Sequence, residues 1–209
     1  MNPKELLYRY LDECPLVAIV RGVTPNDAEA IGQAIYDGGI RIIEVPMNSP
    51  EPLKSIERLA NKFGDSMLVG AGTVLNVQQV AELKAAGGRI VVSPDTNTDV
   101  IAASAEAGLV SSPGYFTPSE AFAAIRAGAH ALKLFPAEAG GPPLLKAQLA
   151  VLPRDVPIMA VGGITPDNMR PWLQAGAAGF GLGSGLYKPR QSAADTVEKA
   201  RAYVAGVRA

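Results

Sequence analysis

The chain has 209 residues, 48% of them apolar, with 19 Lys and Arg against 20 Asp and Glu for a net charge of −1. That length suits one domain with a sizeable core and is cramped for two, and the near-zero charge gives nucleic-acid or membrane-surface binding no electrostatic basis. A single histidine, His130, and a single cysteine, Cys14, exclude a disulfide framework and leave too few soft ligands for a zinc site.

Met1–Cys14 reads as a charged helix rather than a signal peptide, and no apolar run approaches the ~18–20 residues of a membrane span. The expectation is a cytoplasmic, metal-poor protein. After this helix, eight short apolar runs recur: Leu16–Val20, Ile40–Val45, Met67–Ala71, Arg89–Ser93, Leu109–Ser112, Ala129–Phe135, Pro157–Val161 and Ala178–Leu182. They are nearly continuous rather than alternating, as parallel strands buried on both faces are. Their spacing of about 26 residues is close to the least that a strand, a helix and a return can use.

Between the runs, Thr24-Pro25, Ser49-Pro50, Thr117-Pro118 and Thr165-Pro166 each place a hydroxyl cap before a proline, which marks a helix start. Gly38-Gly39, Gly87-Gly88, Gly108, Gly128 and Gly176 mark helix ends, each shortly before the next strand. No linker divides the chain. The pattern predicts a single (β/α)₈ barrel over residues 1–209. An open doubly wound sheet would want its glycine-rich turn after the first strand, whereas the glycine pairs cluster after strands 3, 7 and 8.

A barrel gathers its active site at the C-terminal ends of its strands. The polar groups there are Arg21, Glu44, Asn48, Thr73, Ser93, Lys133, Gly162-Gly163 and Gly183-Ser184. Lys133 lies in the apolar stretch Ala131-Leu-Lys-Leu-Phe135, where desolvation penalises the ammonium and favours the free amine. A buried neutral amine is what Schiff-base chemistry requires. The plainer alternative is a lysine snorkelling at a strand end. Period-two alternation puts Ile42 and Glu44 on one face and Ile43 and Val45 on the other, so Glu44 points into the barrel with Lys133. The two could form a buried ion pair, or Glu44 could carry protons. His130, an odd offset from Lys133, faces the helical layer and takes no catalytic role.

Val161-Gly-Gly-Ile-Thr165 and Gly181-Leu-Gly-Ser-Gly185 follow strands 7 and 8, the usual barrel phosphate site, where glycines let backbone N–H groups approach an anion. Two tight turns needing positive φ would look the same. Ser184 adds a hydroxyl, Arg21 could clamp a carboxylate, and Thr73 offers a hydroxyl beside a loop N–H. Pro94, Phe135 and Pro136 would screen the amine from water.

These motifs together resemble a known family. Arg21-Gly22, Glu44-Val-Pro-Met-Asn-Ser-Pro50, Gly70-Ala-Gly-Thr-Val74, Leu132-Lys-Leu-Phe-Pro136, Val161-Gly-Gly-Ile-Thr-Pro166 and Gly181-Leu-Gly-Ser184 are similar to the 2-keto-3-deoxy-6-phosphogluconate/galactonate aldolases. The resemblance implies a trimeric class I aldolase acting on a phosphorylated 2-keto-3-deoxy sugar acid without metal or organic cofactor. It makes Lys133 the Schiff-base lysine and Glu44 the general acid/base. Arg21, Thr73, Gly162, Gly163, Gly183 and Ser184 would hold the carboxylate and phosphate ends. Gluconate-type members carry an Arg-Thr pair shortly after the glutamate; Asn48-Ser49 here is similar to the galactonate branch and leaves Arg21 as the carboxylate partner. Gluconate or dual specificity, another phosphate-binding barrel enzyme such as an epimerase, and an inactive binding barrel are the alternatives. Lys133 argues against the last, since a binding module has no need of a buried amine.

Overall fold

Each apolar run supplies a strand of a parallel barrel, and a short second segment past the fifth run completes that stave. The computed structural model describes residues 1–209. Its strands are β1 (Leu16–Ile19), β2 (Ile42–Pro46), β3 (Leu68–Gly72), β4 (Ile90–Val92), β5 (Val110–Ser112), β6 (Gly114–Tyr115), β7 (Leu132–Leu134), β8 (Ile158–Val161) and β9 (Gly179–Leu182). The helices are α1 (Pro3–Glu13), α2 (Pro25–Asp37), α3 (Pro52–Phe63), α4 (Val77–Ala85), α5 (Thr98–Glu106), α6 (Pro118–Arg126), α7 (Ala137–Gln148), α8 (Met169–Ala175) and α9 (Ala193–Arg208).

The sheet order is β5-β4-β3-β2-β1-β9-β8-β7-β6, parallel throughout. Pro113, just past the fifth run, has no N–H to give a ladder and separates β5, which pairs with β4, from β6, which pairs with β7. The two ends of the sheet order are therefore consecutive pieces of one stave, and the sheet closes on itself. The seam is carried by His130 N–H to the Ser111 carbonyl (2.9 Å) and Lys133 N–H to the Pro113 carbonyl (2.8 Å). This is the expected (β/α)₈ barrel with eight staves.

The repeated glycine endings work as one device. After α2, α4, α5, α6 and α8 a glycine takes a left-handed φ between 73° and 104°. The N–H of the next residue then bonds the carbonyl five positions back, as Leu109 does to Ser104 (2.9 Å) and Ala129 to Ala124 (3.1 Å). At the other ends, the hydroxyls of Thr24 and Thr117 accept the N–H groups of Asp27 and Glu120. Thr165 heads a 3₁₀ turn, Pro166–Asn168, before α8. Ser49 does not cap: α3 starts at Pro52 after Glu51, and the Ser49 hydroxyl instead accepts the Gly22 N–H (3.0 Å), tying the loop after β1 to the loop after β2.

Burial forms two shells. An inner cluster fills the barrel, where Leu7, Tyr10 and Leu11 of α1 pack on Ile19, Ile42, Leu68, Ile90, Val110 and Met159. Helix α1 thereby plugs the N-terminal end, each buried side chain contributing roughly 1.5–3 kcal/mol. A larger cluster of 45 residues lies between strands and helices. With one end plugged, ligands have only the C-terminal end to enter.

Candidate active site

The strand periodicity places the chemistry. On β2, Ile43 and Val45 join the outer shell while Ile42 joins the inner one, so Glu44 points inward and is 1% exposed. On β7, Leu132 and Leu134 pack outward, and Lys133 points inward with 8% exposure. His130, half-buried, accepts the Ser111 N–H on Nδ1 (3.1 Å), a structural role. Burial first and the Lys4 charge second lower its pKa.

Two spaces meet at Lys133. Below it is a void of about 20 Å³, room for about one water, lined by apolar barrel residues together with Glu44, Ser112 and Lys133. Above it opens a cleft of about 590 Å³, a size that suits a small metabolite. Arg21, Thr73, Lys133, Gly162, Gly163, Gly183 and Ser184 all line this cleft, with Pro94 and Phe135 on its walls. The Phe135 ring centroid is 4.9 Å from Lys133 Nζ. Glu44 lines the lower void and not the cleft, and Ile19, Lys133, Val161 and Gly181 line both. Ser93 is not in the cleft: its buried hydroxyl donates to the Val74 carbonyl (2.8 Å) and braces the loop after β3.

Burial in the barrel is the largest influence on the two central groups, ahead of the charge each places on the other. Five ion pairs form in the structure, and neither Glu44 nor Lys133 is in any of them. Glu44 Oε2 is buried with no hydrogen-bond partner. Desolvation raises the Glu44 carboxyl to about 7, with Lys133 and then Arg21 opposing the rise. Desolvation also lowers Lys133; Glu44 opposes and Arg21 assists. Both shifts run toward a neutral acid beside a free amine.

The cleft's two ends differ. Arg21 donates through Nη1 to the Asn48 carbonyl oxygen, a contact between the loops after β1 and β2. At the glycine end, Gly162 and Gly163 have φ of 111° and 66°, and Asn168 Nδ2 holds the Gly163 carbonyl (2.8 Å). Gly183 needs no positive φ, and a Cβ there would meet nothing within 4 Å. Positive φ accounts for the first pair; open space in the cleft accounts for the third.

Three further residues belong to the site. Gly72 stands beside Glu44, Glu138 of α7 lies against Gly163, and Lys188 lines the cleft beyond Ser184. Gly72 had a signal, since its parity on β3 is that of Gly70 and it points inward. Glu138, in the first turn of α7, and Lys188, on the connection after β9, lie outside the strand ends to which the sequence pattern points.

Residues 8–201 match the family described as "Aldolase: KDPG and KHG aldolase". A 2-dehydro-3-deoxy-6-phosphogalactonate aldolase of Escherichia coli (strain K12) is 45% identical over 194 residues, 93% of this chain and 95% of that one. A probable 2-dehydro-3-deoxy-6-phosphogalactonate aldolase of Rhizobium meliloti (strain 1021) is 47% identical over 193 residues, 92% and 91% of the two chains. A solved structure described as "Native KDPGal structure" superposes with a TM-score of 0.93 at 45% identity, covering 94% of this chain and 95% of that one. With a closed barrel, an inward lysine and glutamate, and matches along nearly its whole length, the chain belongs to the KDPG and KHG aldolase family of carbon–carbon lyases.

Proposed function

We propose that the protein is a class I aldolase that cleaves 2-dehydro-3-deoxy-6-phosphogalactonate to pyruvate and D-glyceraldehyde 3-phosphate. The observation that carries this is Lys133, an amine stripped of most solvent and set where the cleft meets the buried Glu44 carboxyl.

The free amine of Lys133 attacks the C2 ketone, and loss of water gives a protonated imine. A base takes the C4 hydroxyl proton, the C3–C4 bond breaks, and its electron pair enters the imine to leave an enamine. D-Glyceraldehyde 3-phosphate departs. Protonation of the enamine carbon gives the pyruvyl imine, and hydrolysis returns pyruvate and Lys133. Glu44, directly or through one water, takes and returns the protons, and a carboxyl held to about 7 can do both near neutral pH. Arg21 and Thr73 receive the carboxylate end, and Gly162, Gly163, Gly183 and Ser184 receive the phosphate with N–H and hydroxyl donors.

The galactonate branch is supported by Asn48, whose side chain engages Arg21 instead of supplying a second cation. A trimer is supported by the resemblance and by Leu75 and Val77, large apolar side chains left exposed at the C-terminal end of the barrel. Light scattering should then give a mass three times 21.7 kDa.

Pyruvate release, followed with purified protein and each C4 epimer in turn, tests the activity. Both epimers should be cleaved, the galactonate one with the higher kcat/KM; release from neither overturns the assignment.

A further inference from the structure

If the glycine end of the cleft takes a phosphate, as proposed above, its charges do not balance. A phosphate monoester carries between −1.5 and −2 near neutral pH. The two glycine turns offer dipoles and Ser184 a hydroxyl, but none of these is a full charge. Glu138 makes matters worse, because its carboxylate reaches the Gly163 turn closely enough that a Cβ there would lie 2.4 Å from Oε2. Arg21 is engaged with Asn48, and Lys133 is the amine that must stay neutral.

One cation lining the cleft is uncommitted. Lys188 follows the Gly183-Ser184 turn, and its ammonium takes part in no ion pair or hydrogen bond. Its backbone, in contrast, is fixed. Tyr187 before it is buried and its N–H bonds the Gly183 carbonyl (3.1 Å). Pro189 after it packs so tightly on the loop after β1 that a Cβ at Gly22 would lie 2.7 Å from the proline ring. The Lys188 carbonyl accepts the Gln191 N–H (3.0 Å). A pinned backbone carrying a free ammonium is an arrangement for meeting an anion that arrives.

We propose that Lys188 is the cation that binds the substrate's phosphate at the glycine turns, in the cleft that Glu138 also lines. Lysine supplies a point charge that can follow the phosphate as the aldehyde leaves. Glu138, by repelling excess negative charge, keeps the bound phosphate from being held too tightly for product release.

Lys188→Ala, Lys188→Arg and Glu138→Gln, compared with the parent, test this in two ways. Inorganic phosphate binding by titration calorimetry needs no turnover: Kd should rise about ten- to hundredfold in Lys188→Ala, the worth of a charge-assisted hydrogen bond. It should return toward the parent value in Lys188→Arg and fall in Glu138→Gln. In turnover, the ratio of kcat/KM for the phosphorylated over the dephosphorylated sugar acid should drop by the same factor in Lys188→Ala. An unchanged Kd and an unchanged ratio in that variant overturn the role of Lys188 while leaving the aldolase reading intact. Failure of the parent to form a pyruvate imine overturns the aldolase reading instead, and the calorimetric comparison then still decides about Lys188.

Discussion

Gly72, two residues past Glu44's register partner Gly70, lies against the Glu44 carboxyl, and a Cβ on residue 72 would stand 2.0 Å from Glu44 Oε2. The glycine is therefore what lets a carboxyl sit beside the stave of β3. Gly72→Ala forces Glu44 to move or the strand to shift. Overpacking of this kind costs about 1–3 kcal/mol, and a displacement of about 1 Å at a reacting group can cost a hundredfold in rate. The expected result is a folded variant whose kcat falls about hundredfold; parental kcat would show that the position of Glu44 does not matter.

The buried carboxyl also makes a pH signature. Glu44 titrates near 7 in the folded chain against 4.5 for an ordinary glutamate, so the folded state holds this proton more tightly. Below about pH 4 the group is neutral in both states and costs nothing; between about pH 5 and 7 the folded state loses stability, up to about 3 kcal/mol above pH 7. Glu44→Gln cannot ionise. Its stability should match the parent near pH 4 and exceed it near pH 8 in urea unfolding, and a difference independent of pH would refute the buried-acid assignment.

The same variant separates proton transfer from binding. Exchange of the pyruvate methyl protons with solvent passes through the enamine, so Glu44→Gln should slow it about 10²–10⁴-fold, the usual worth of a positioned acid or base. Phosphate affinity should be retained. Unchanged exchange would reduce Glu44 to a structural neighbour of Lys133.

Much of this arrangement can be read from sequence, and the reasons for the gaps are physical. A charged residue inside an apolar strand has a face fixed by period two, so Glu44 and Lys133 could be placed before any fold was known. Hydroxyl-proline pairs located α2 and α6, but Ser49-Pro50 misled because the Ser49 hydroxyl is spent on Gly22, 27 residues away. Pro113 splits the fifth stave, so β6 lies past the apolar stretch that marks the strand. Lys188, on the connection after β9, and Glu138, in the first turn of α7, line one cleft, and no local pattern records that.

Substrate choice should follow from Arg21 and Asn48. The galactonate and gluconate substrates differ only in configuration at C4 and yield the same products. With Asn48 in place of a cation, the carboxylate should turn toward Arg21 and present the opposite C4 hydroxyl orientation to Glu44. A site that hydrogen-bonds one orientation can reject the epimer by up to roughly 10⁴-fold. The galactonate epimer should have the higher kcat/KM, and Asn48→Arg should narrow the ratio. Preference for the gluconate epimer would place the chain in the other branch.

If Lys133 carries the chemistry, as proposed, it can be caught directly. Incubation with pyruvate and borohydride should add one reduced pyruvyl group to the intact mass, and peptide mapping should find it on Lys133. Lys133→Met, which fills a similar volume without the charge, should fold cooperatively and take up nothing. An adduct on another lysine, or none on the parent protein, would contradict covalent catalysis at Lys133.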